Sequence, residues 1–246
     1  NDHVKVVNAL LAKKEIQINQ ANNEGGTPLF MACQQDRVKV VNALLAKKEI
    51  QINQATNDGC TPLFIACQED CMKVVNALLA RKEIQINQAM NDGATPLSVA
   101  CQNDHVKVVN ALLARKEIQI NQASNDGCTP LYMACGNGHV KVITALLSKK
   151  EIQINQSDKY GATPLFMACQ RDHLKVINAL LARKEIQINQ ARDNGATPLY
   201  VACQNDRVNV VNALLVRKEI QINQGNNNGA TPLYIACQKD CVNVVN

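Results

Sequence analysis

The chain has 246 residues and a net charge of +5; 46% of its residues are hydrophobic, only 3% are aromatic, and Trp is absent. Without large rings the core must come from Leu, Val, Ile, Ala and Cys, which suits thin layers packed closely together. No apolar run approaches the ~20 residues that a membrane-spanning helix needs.

Residues 1–22 begin with Val4, Val6, Val7, Leu10 and Leu11, spaced as on one face of a helix. From there the tripeptide Thr-Pro-Leu starts at Thr27, Thr61, Thr95, Thr129, Thr163, Thr197 and Thr231, always at an interval of 34 residues. A fixed period of this length signals a repeat architecture, so the usual rule of one or two globular domains does not apply. Full repeats run 23–56, 57–90, 91–124, 125–158, 159–192 and 193–226. Residues 1–22 match the back portion of a repeat and 227–246 the front portion. Residue 1 is Asn, not Met, and no signal peptide is visible, so the chain reads as a segment of something longer or as a trimmed form.

Repeat 91–124 shows the pattern. Asn91-Asp92-Gly93 predicts a tight turn, because Gly tolerates positive φ. Thr95 is a suitable N-cap, with Pro96 in the first helical position, where its missing N–H costs nothing. Leu97, Val99, Ala100 and Cys101 give a short first helix its apolar face. Asp104 is placed to cap a second helix carrying Val106, Val108, Val109, Leu112 and Leu113. Arg115-Lys116 then close that helix, where cations complement its dipole. Ile118 and Ile120 alternate with Gln, which predicts an extended segment leading to the next turn.

One such unit cannot bury its own apolar face, whereas stacked units bury a continuous core. The predicted fold is an all-α repeat solenoid of paired antiparallel helices joined by β-hairpin-like loops. The pattern Gly-x-Thr-Pro-Leu-x-x-Ala, followed by Val-Val-x-x-Leu-Leu and Ile-Asn, resembles the ankyrin repeat over the whole chain. The resemblance implies a concave groove that binds a partner protein or an extended peptide. Three departures stand out. The family unit is commonly one residue shorter, with a Gly ending the second helix; the longer Arg-Lys-Glu-Ile-Gln stretch predicts a longer helix end or a bulged exit. The family's inter-helix Gly is Asp36, Asp70, Asp104, Asp172, Asp206 and Asp240 here, and remains only as Gly138. The His usual after Thr-Pro-Leu is replaced throughout.

Chemistry-bearing residues are spread out rather than gathered. His3, His105, His139 and His173 share one repeat position with Arg37, Cys71, Arg207 and Cys241. Layers about a helix diameter (~10 Å) apart cannot bring that column onto one metal ion, whose donors lie within about 2.3 Å. No nucleophile faces a base and no phosphate-binding loop occurs, so neither enzyme activity nor a cofactor or metal is expected. Seven of the eleven Cys recur in Ala-Cys pairs (Cys33, Cys67, Cys101, Cys135, Cys169, Cys203, Cys237) and read as small buried side chains. With no CxxC pair, a disulfide framework is disfavoured and a reducing, cytoplasmic location is expected. Fourteen Lys and Arg form seven dibasic pairs, each followed by Glu. That ladder lies at the far end of the second helix, away from the groove, so neither nucleic acid nor membrane is expected as a partner.

The residue after Thr-Pro-Leu is Phe30, Phe64, Ser98, Tyr132, Phe166, Tyr200 and Tyr234. The ankyrin resemblance places this column on the first helix beside the groove. It serves either as packing between repeats or as an aromatic stripe for a peptide. Tyr160 stands at a turn tip with Asp158 and Lys159, and Arg171 also breaks the monotony, so residues 125–192 are the expected centre of partner binding. A structural spacer with little specific binding is the rival reading. Finally, the apolar face of 1–22 and the one begun by Val242, Val244 and Val245 are offset copies of one interface, which predicts head-to-tail self-association or else fraying of the terminal half-repeats.

Overall fold

The structure, a computed structural model, describes residues 2–241, with only the backbone described at Asp2 and His3. The C-terminal Val242, Val244 and Val245 therefore lie outside the described residues. The chain divides into two compact units, Asn1–Gln122 and Ala123–Asn246.

Unit 1 holds α1 (Asp2–Leu11), α2 (Pro28–Gln34), α3 (Val38–Leu45), α4 (Pro62–Gln68), α5 (Met72–Leu79), α6 (Pro96–Gln102) and α7 (Val106–Leu113). Its first helices stack as α2, α4, α6 and its second helices as α1, α3, α5, α7. Unit 2 holds α8 (Pro130–Asn137), α9 (Val140–Leu147), α10 (Pro164–Gln170), α11 (Leu174–Leu181), α12 (Pro198–Gln204), α13 (Val208–Leu215) and α14 (Pro232–Gln238). Here α8, α10, α12 and α14 form one row and α9, α11 and α13 the other.

Each first helix starts as its sequence dictates. The Thr before Pro has an extended backbone, and its hydroxyl accepts the N–H three residues on; Phe166 donates to Thr163 Oγ1 at 3.1 Å. Ser98, the odd member of the aromatic column, has a local explanation. Its hydroxyl accepts the Thr95 N–H at 2.8 Å while its own N–H donates to Thr95, completing a reciprocal cap.

The link between helices corrects one expectation. The Asp residues do not cap the second helix; that position falls to the following residue, such as His105, which makes no side-chain capping bond. Asp36, Asp70, Asp104, Asp172, Asp206 and Asp240 instead adopt the left-handed backbone, with φ between 49° and 63°, where Gly138 has φ 77°. Asp is one of the few residues with a side chain that tolerates this conformation. Asp36→Gly should therefore leave thermal stability unchanged or raise it, whereas Asp36→Ala should cost about 1 kcal/mol in a denaturation measurement.

Each second helix ends at its last Leu, with one residue between it and the dibasic pair. The chain then leaves through successive turns: Lys47 N–H reaches Leu44 O at 3.0 Å, and Gln54 N–H reaches Gln51 O at 3.2 Å. Of the two outcomes expected for the extra residue, this is the irregular exit. The extended segment is not a strand either, and no strand occurs among the described residues. The alternation still sorts the side chains, with Ile84 and Ile86 buried around an exposed Gln85. Asn side chains tie these exits together. Asn155 donates to Glu185 O at 2.7 Å and accepts the Gln187 N–H at 2.9 Å, and Asn19, Asn53, Asn87 and Asn189 repeat both bonds.

Each unit has a core of Leu, Val, Ile and Cys. Leu63, Leu97, Leu165 and Leu180 are fully enclosed, and each contributes about 2 kcal/mol by leaving water. At the margins the same residue types are exposed: Val6 and Leu10 on α1, Leu233 on α14. The Ala-Cys thiols follow this gradient. Cys33, Cys67, Cys101, Cys135, Cys169 and Cys203 are buried, but Cys237 is exposed, contrary to the expectation for its position. Burial pushes the thiols of Cys67, Cys135 and Cys169 far up, and those of Cys60 and Cys203 up to about 11. Thiolate is the reactive form. A thiol reagent should therefore modify Cys237 first, Cys128 and Cys60 next, and Cys67, Cys135 and Cys169 last, as read by mass spectrometry of the native protein.

Candidate functional site

The turn tips and the first helices share one face in each unit. A tip is closed by short backbone bonds, Gly59 N–H to Thr56 O at 2.9 Å and Thr56 N–H to Cys60 O at 3.0 Å. It is then stitched to the next tip: Asn91 N–H reaches Asp58 O, and the Asn91 amide reaches Asn57 O, both at 3.0 Å. In unit 1, Glu24, Phe30, Met31, Gln34, Asp58 and Met90 surround a cleft of about 650 Å³ on this face. In unit 2, Tyr200, Asn226, Asn228, Tyr234 and Gln238 surround one of about 400 Å³.

The aromatic column is inside the stack and does not form an open stripe. Phe30, Phe64, Tyr132, Phe166 and Tyr200 are all buried, and only Tyr234 is substantially exposed, at 57%. The physical reason is the following turn tip, which folds over each ring. Tyr132 donates its hydroxyl to Asp158 Oδ2 at 2.8 Å, and Tyr200 accepts from the Asn226 amide at 3.2 Å. Burial pushes the Tyr132 phenol well above its ordinary value, and the Asp158 carboxylate adds to the shift. The Arg192 guanidinium lies 5.4 Å from the Phe166 ring centre. The buried rings therefore position tips, with only the cleft-facing edges of Phe30 and Tyr200 open.

Tyr160 is different, being 53% exposed at its tip. Asp158 Oδ1 accepts the N–H groups of Tyr160 at 2.9 Å and Ala162 at 2.8 Å, which fixes the turn. Lys159 lies 5.1 Å from the Tyr160 ring centre and pairs with Asp126 at 2.7 Å. Tyr132, Asp158, Lys159 and Tyr160 thus form one cluster, while exposed Arg171 sits at the end of α10.

The family models match in the same register as these layers. Residues 1–56, 44–124, 117–192 and 184–246 each fit the family model described as ankyrin repeats, three copies. The chain belongs to the ankyrin-repeat family. Ankyrin repeats are in general protein-protein interaction modules and are typically not enzymes. The crystal structure of the human ASB11 ankyrin repeat domain is similar in fold, with a TM-score of 0.73 at 24% identity over 88% of this chain and 96% of that one. A search of curated protein sequences finds no match.

Two further columns of this ankyrin array act between layers. His105 Nε2 lies 2.9 Å from Gln68 O and His173 Nε2 3.1 Å from Gly136 O, while Cys241 Sγ donates to Gln204 O at 3.8 Å. His105, His173 and Cys241 thus bind the carbonyl end of the preceding first helix, whereas Cys71 Sγ in the same column donates to Glu69 O of its own repeat at 3.6 Å. Among the described residues no group of three or more His, Cys, Asp or Glu is placed to hold a metal. The dibasic ladder is also turned onto protein. Lys47 reaches Leu11 O at 2.8 Å, Arg183 reaches Leu147 O at 3.0 Å, and Arg81 and Arg217 bond Leu45 O and Leu181 O. The expectation that these cations close their own helix does not hold, because no second helix has a basic residue in its last turn; the carbonyls they reach end the helix of the preceding layer. The same guanidiniums pair with Glu83, Glu185 and Glu219. The Glu83 carboxyl is held below its ordinary range by its own backbone N–H and then by Arg81. No helix among the described residues is long and apolar enough to cross a membrane.

Sequence reasoning missed Met31 and Met90, half-open beside the unit 1 cleft. The signal lay in the repeat columns: Met31 belongs to a first-helix column of Met, Ile and Val, and Met90 is an apolar residue in a column otherwise made of Asn22, Thr56, Ser124, Asp158, Arg192 and Asn226.

Proposed function

We propose that the chain is a non-catalytic scaffold that holds a partner protein, through an extended segment, on the face formed by tips and first helices. The observation that supports this most is the Tyr160 tip. The backbone that carries an exposed aromatic ring is fixed there by two N–H bonds to Asp158 Oδ1, and a cation flanks the ring. A ring held in place before binding loses little freedom on contact, which makes it a good anchor. Lys159, Arg171 and Tyr234 are the other exposed candidates. Phe30, Phe64, Tyr132, Phe166 and Tyr200 act indirectly, by setting the tips. No disulfide joins the cysteines among the described residues, which fits a reducing compartment such as the cytoplasm.

Affinity capture from a lysate tests this, using the unchanged chain beside a Tyr160→Ala, Arg171→Ala variant. At least one captured protein should fall by about tenfold or more with the variant, the loss of roughly one anchor of 1.4 kcal/mol. Identical profiles would remove the Tyr160 placement, and no specific capture by either chain would favour the spacer reading. Self-association through Val6 and Leu10 at one end and Leu233 and Tyr234 at the other is proposed on the ground of their exposure. Light scattering that stays monomeric as concentration rises would refute it.

A further inference from the structure

The charges of unit 1 are sorted by face. Segments 23–36, 57–70 and 91–104, which carry the tips and first helices, contain seven carboxylates and no Lys or Arg. Glu24, Asp58 and Asp92 stand on successive tips, and Asp36, Glu69, Asp70 and Asp104 at the far ends of the first helices. All seven are exposed. The unit's cations lie on the second helices and their exits, with Arg37 at the boundary. In unit 2 the corresponding positions differ: Asp126 is paired with Lys159, the next three tips carry Tyr160, Asn194 and Asn228, and Arg171 and Lys239 take the place of Glu69.

This acidic face has an apolar foothold. The cleft of about 650 Å³ is bordered by Glu24 and Asp58, while its floor offers Phe30 and Met31, the latter 43% exposed. No Lys or Arg lines it. A flexible thioether suits side chains of varied shape.

We infer that the unit 1 face binds an extended peptide carrying a Lys or Arg at every third residue, in the polyproline II conformation. The argument is one of pitch. Successive tips are hydrogen-bonded neighbours in layers about one helix diameter, ~10 Å, apart. A polyproline II chain has 3 residues per turn and rises ~3.1 Å per residue, so every third side chain recurs on one side after about 9 Å. Such a peptide sets successive cations against Glu24, Asp58 and Asp92, with an intervening apolar side chain over Met31. A β-strand, with a period of two residues and ~3.3 Å rise, repeats after about 7 Å and drifts out of register. The chain's own net charge of +5 opposes binding of cations at long range, so the attraction is local to this face.

The inference rests on the scaffold reading but is tested apart from it. The probe is a fluorescently labelled peptide of four Arg-Pro-Pro triplets, with anisotropy as the readout. Two controls are the Glu-Pro-Pro counterpart and a peptide of the same composition with its four Arg clustered. The triplet peptide should bind at least tenfold more tightly than either control and weaken as salt rises. The variant Glu24→Gln, Asp58→Asn, Asp92→Asn should lose at least tenfold, while Glu185→Gln, which removes a carboxylate from a second-helix exit of unit 2, leaves binding unchanged. The amides keep an acceptor oxygen, such as the Asp92 Oδ1 that takes the Ala94 N–H at 2.9 Å, so the tips remain folded; circular dichroism checks this. Equal binding of the clustered peptide overturns the register, and equal binding by the triple variant overturns the site. If no probe binds while a captured protein still depends on Tyr160, this inference falls and the scaffold reading stands.

Discussion

Leu181→Ala is expected to destabilise unit 2 by about 3 kcal/mol, whereas Leu215→Ala, the same change one layer on, should cost about 1 kcal/mol or less. The two leucines close identical Asn-Ala-Leu-Leu sequences at the ends of α11 and α13. Their surroundings differ: Leu181 is 6% exposed and Leu215 46%. Helix α11 is packed by α9 on one side and α13 on the other. Truncating Leu181 therefore loses the transfer energy of three carbons and leaves a cavity that rigid neighbours on both sides cannot fill. Leu215 is already half in water, so its removal opens the surface and makes no void. Urea denaturation of the two variants followed by circular dichroism gives the comparison. Equal losses would mean that layers do not stabilise one another by burial, which is the basis of a stacked array.

That difference between chemically identical positions shows what the sequence could and could not convey. The period, the two helices and the Thr-Pro start were legible because each is a local matter. A Thr hydroxyl, a Pro ring and apolar residues at helical spacing act within a few residues. The Asp between the helices was misread, since the same short carboxylate serves both as a helix cap and as a tolerant left-handed residue. Gly138 in the same column was the clue, because Gly has no side chain with which to cap, while a left-handed turn favours it. The irregular exit after the dibasic pair was left undecided because its bonds run to the next layer, as from Asn155 to Glu185.

The site was less legible than the fold for the same reason. Whether a ring such as Tyr132 faces solvent depends on what the chain does at Asp158, one tip later. Nothing in the Thr-Pro-Leu-Tyr segment records that. Tyr160 could be singled out because a tip residue has no later layer of its own repeat to cover it. The sorting of charge by face was fully present in the sequence, in three segments without a single Lys or Arg. It stays hidden when charge is summed over the chain, because the dibasic ladder outweighs it.

Gly195→Ala should destabilise unit 2 by about 2–3 kcal/mol, and Gly229→Ala by only about 1 kcal/mol. Both glycines close a turn tip at one repeat position, with φ of 79° and 76°. The cost of giving a left-handed residue a side chain is therefore common to both. They differ in what the new methyl group would meet. At Gly195 it would lie 2.6 Å from the backbone nitrogen of Asn227, well inside contact distance, while at Gly229 nothing lies within 4 Å. The crowded atom is not incidental, because Asn227 N–H makes the 3.0 Å bond to Asn194 O that joins one tip to the next. Relieving the clash means lengthening that bond and tilting the tip, and backbone cannot swing aside as a flexible side chain does. The excess cost at Gly195 thus measures the stitching of the tips, separately from the strain of the turn. Thermal or urea unfolding of the two variants reads it directly. If both lose the same amount, the tips are held by their own turns alone, and the fixed spacing that a bound peptide would read has no structural support in unit 2.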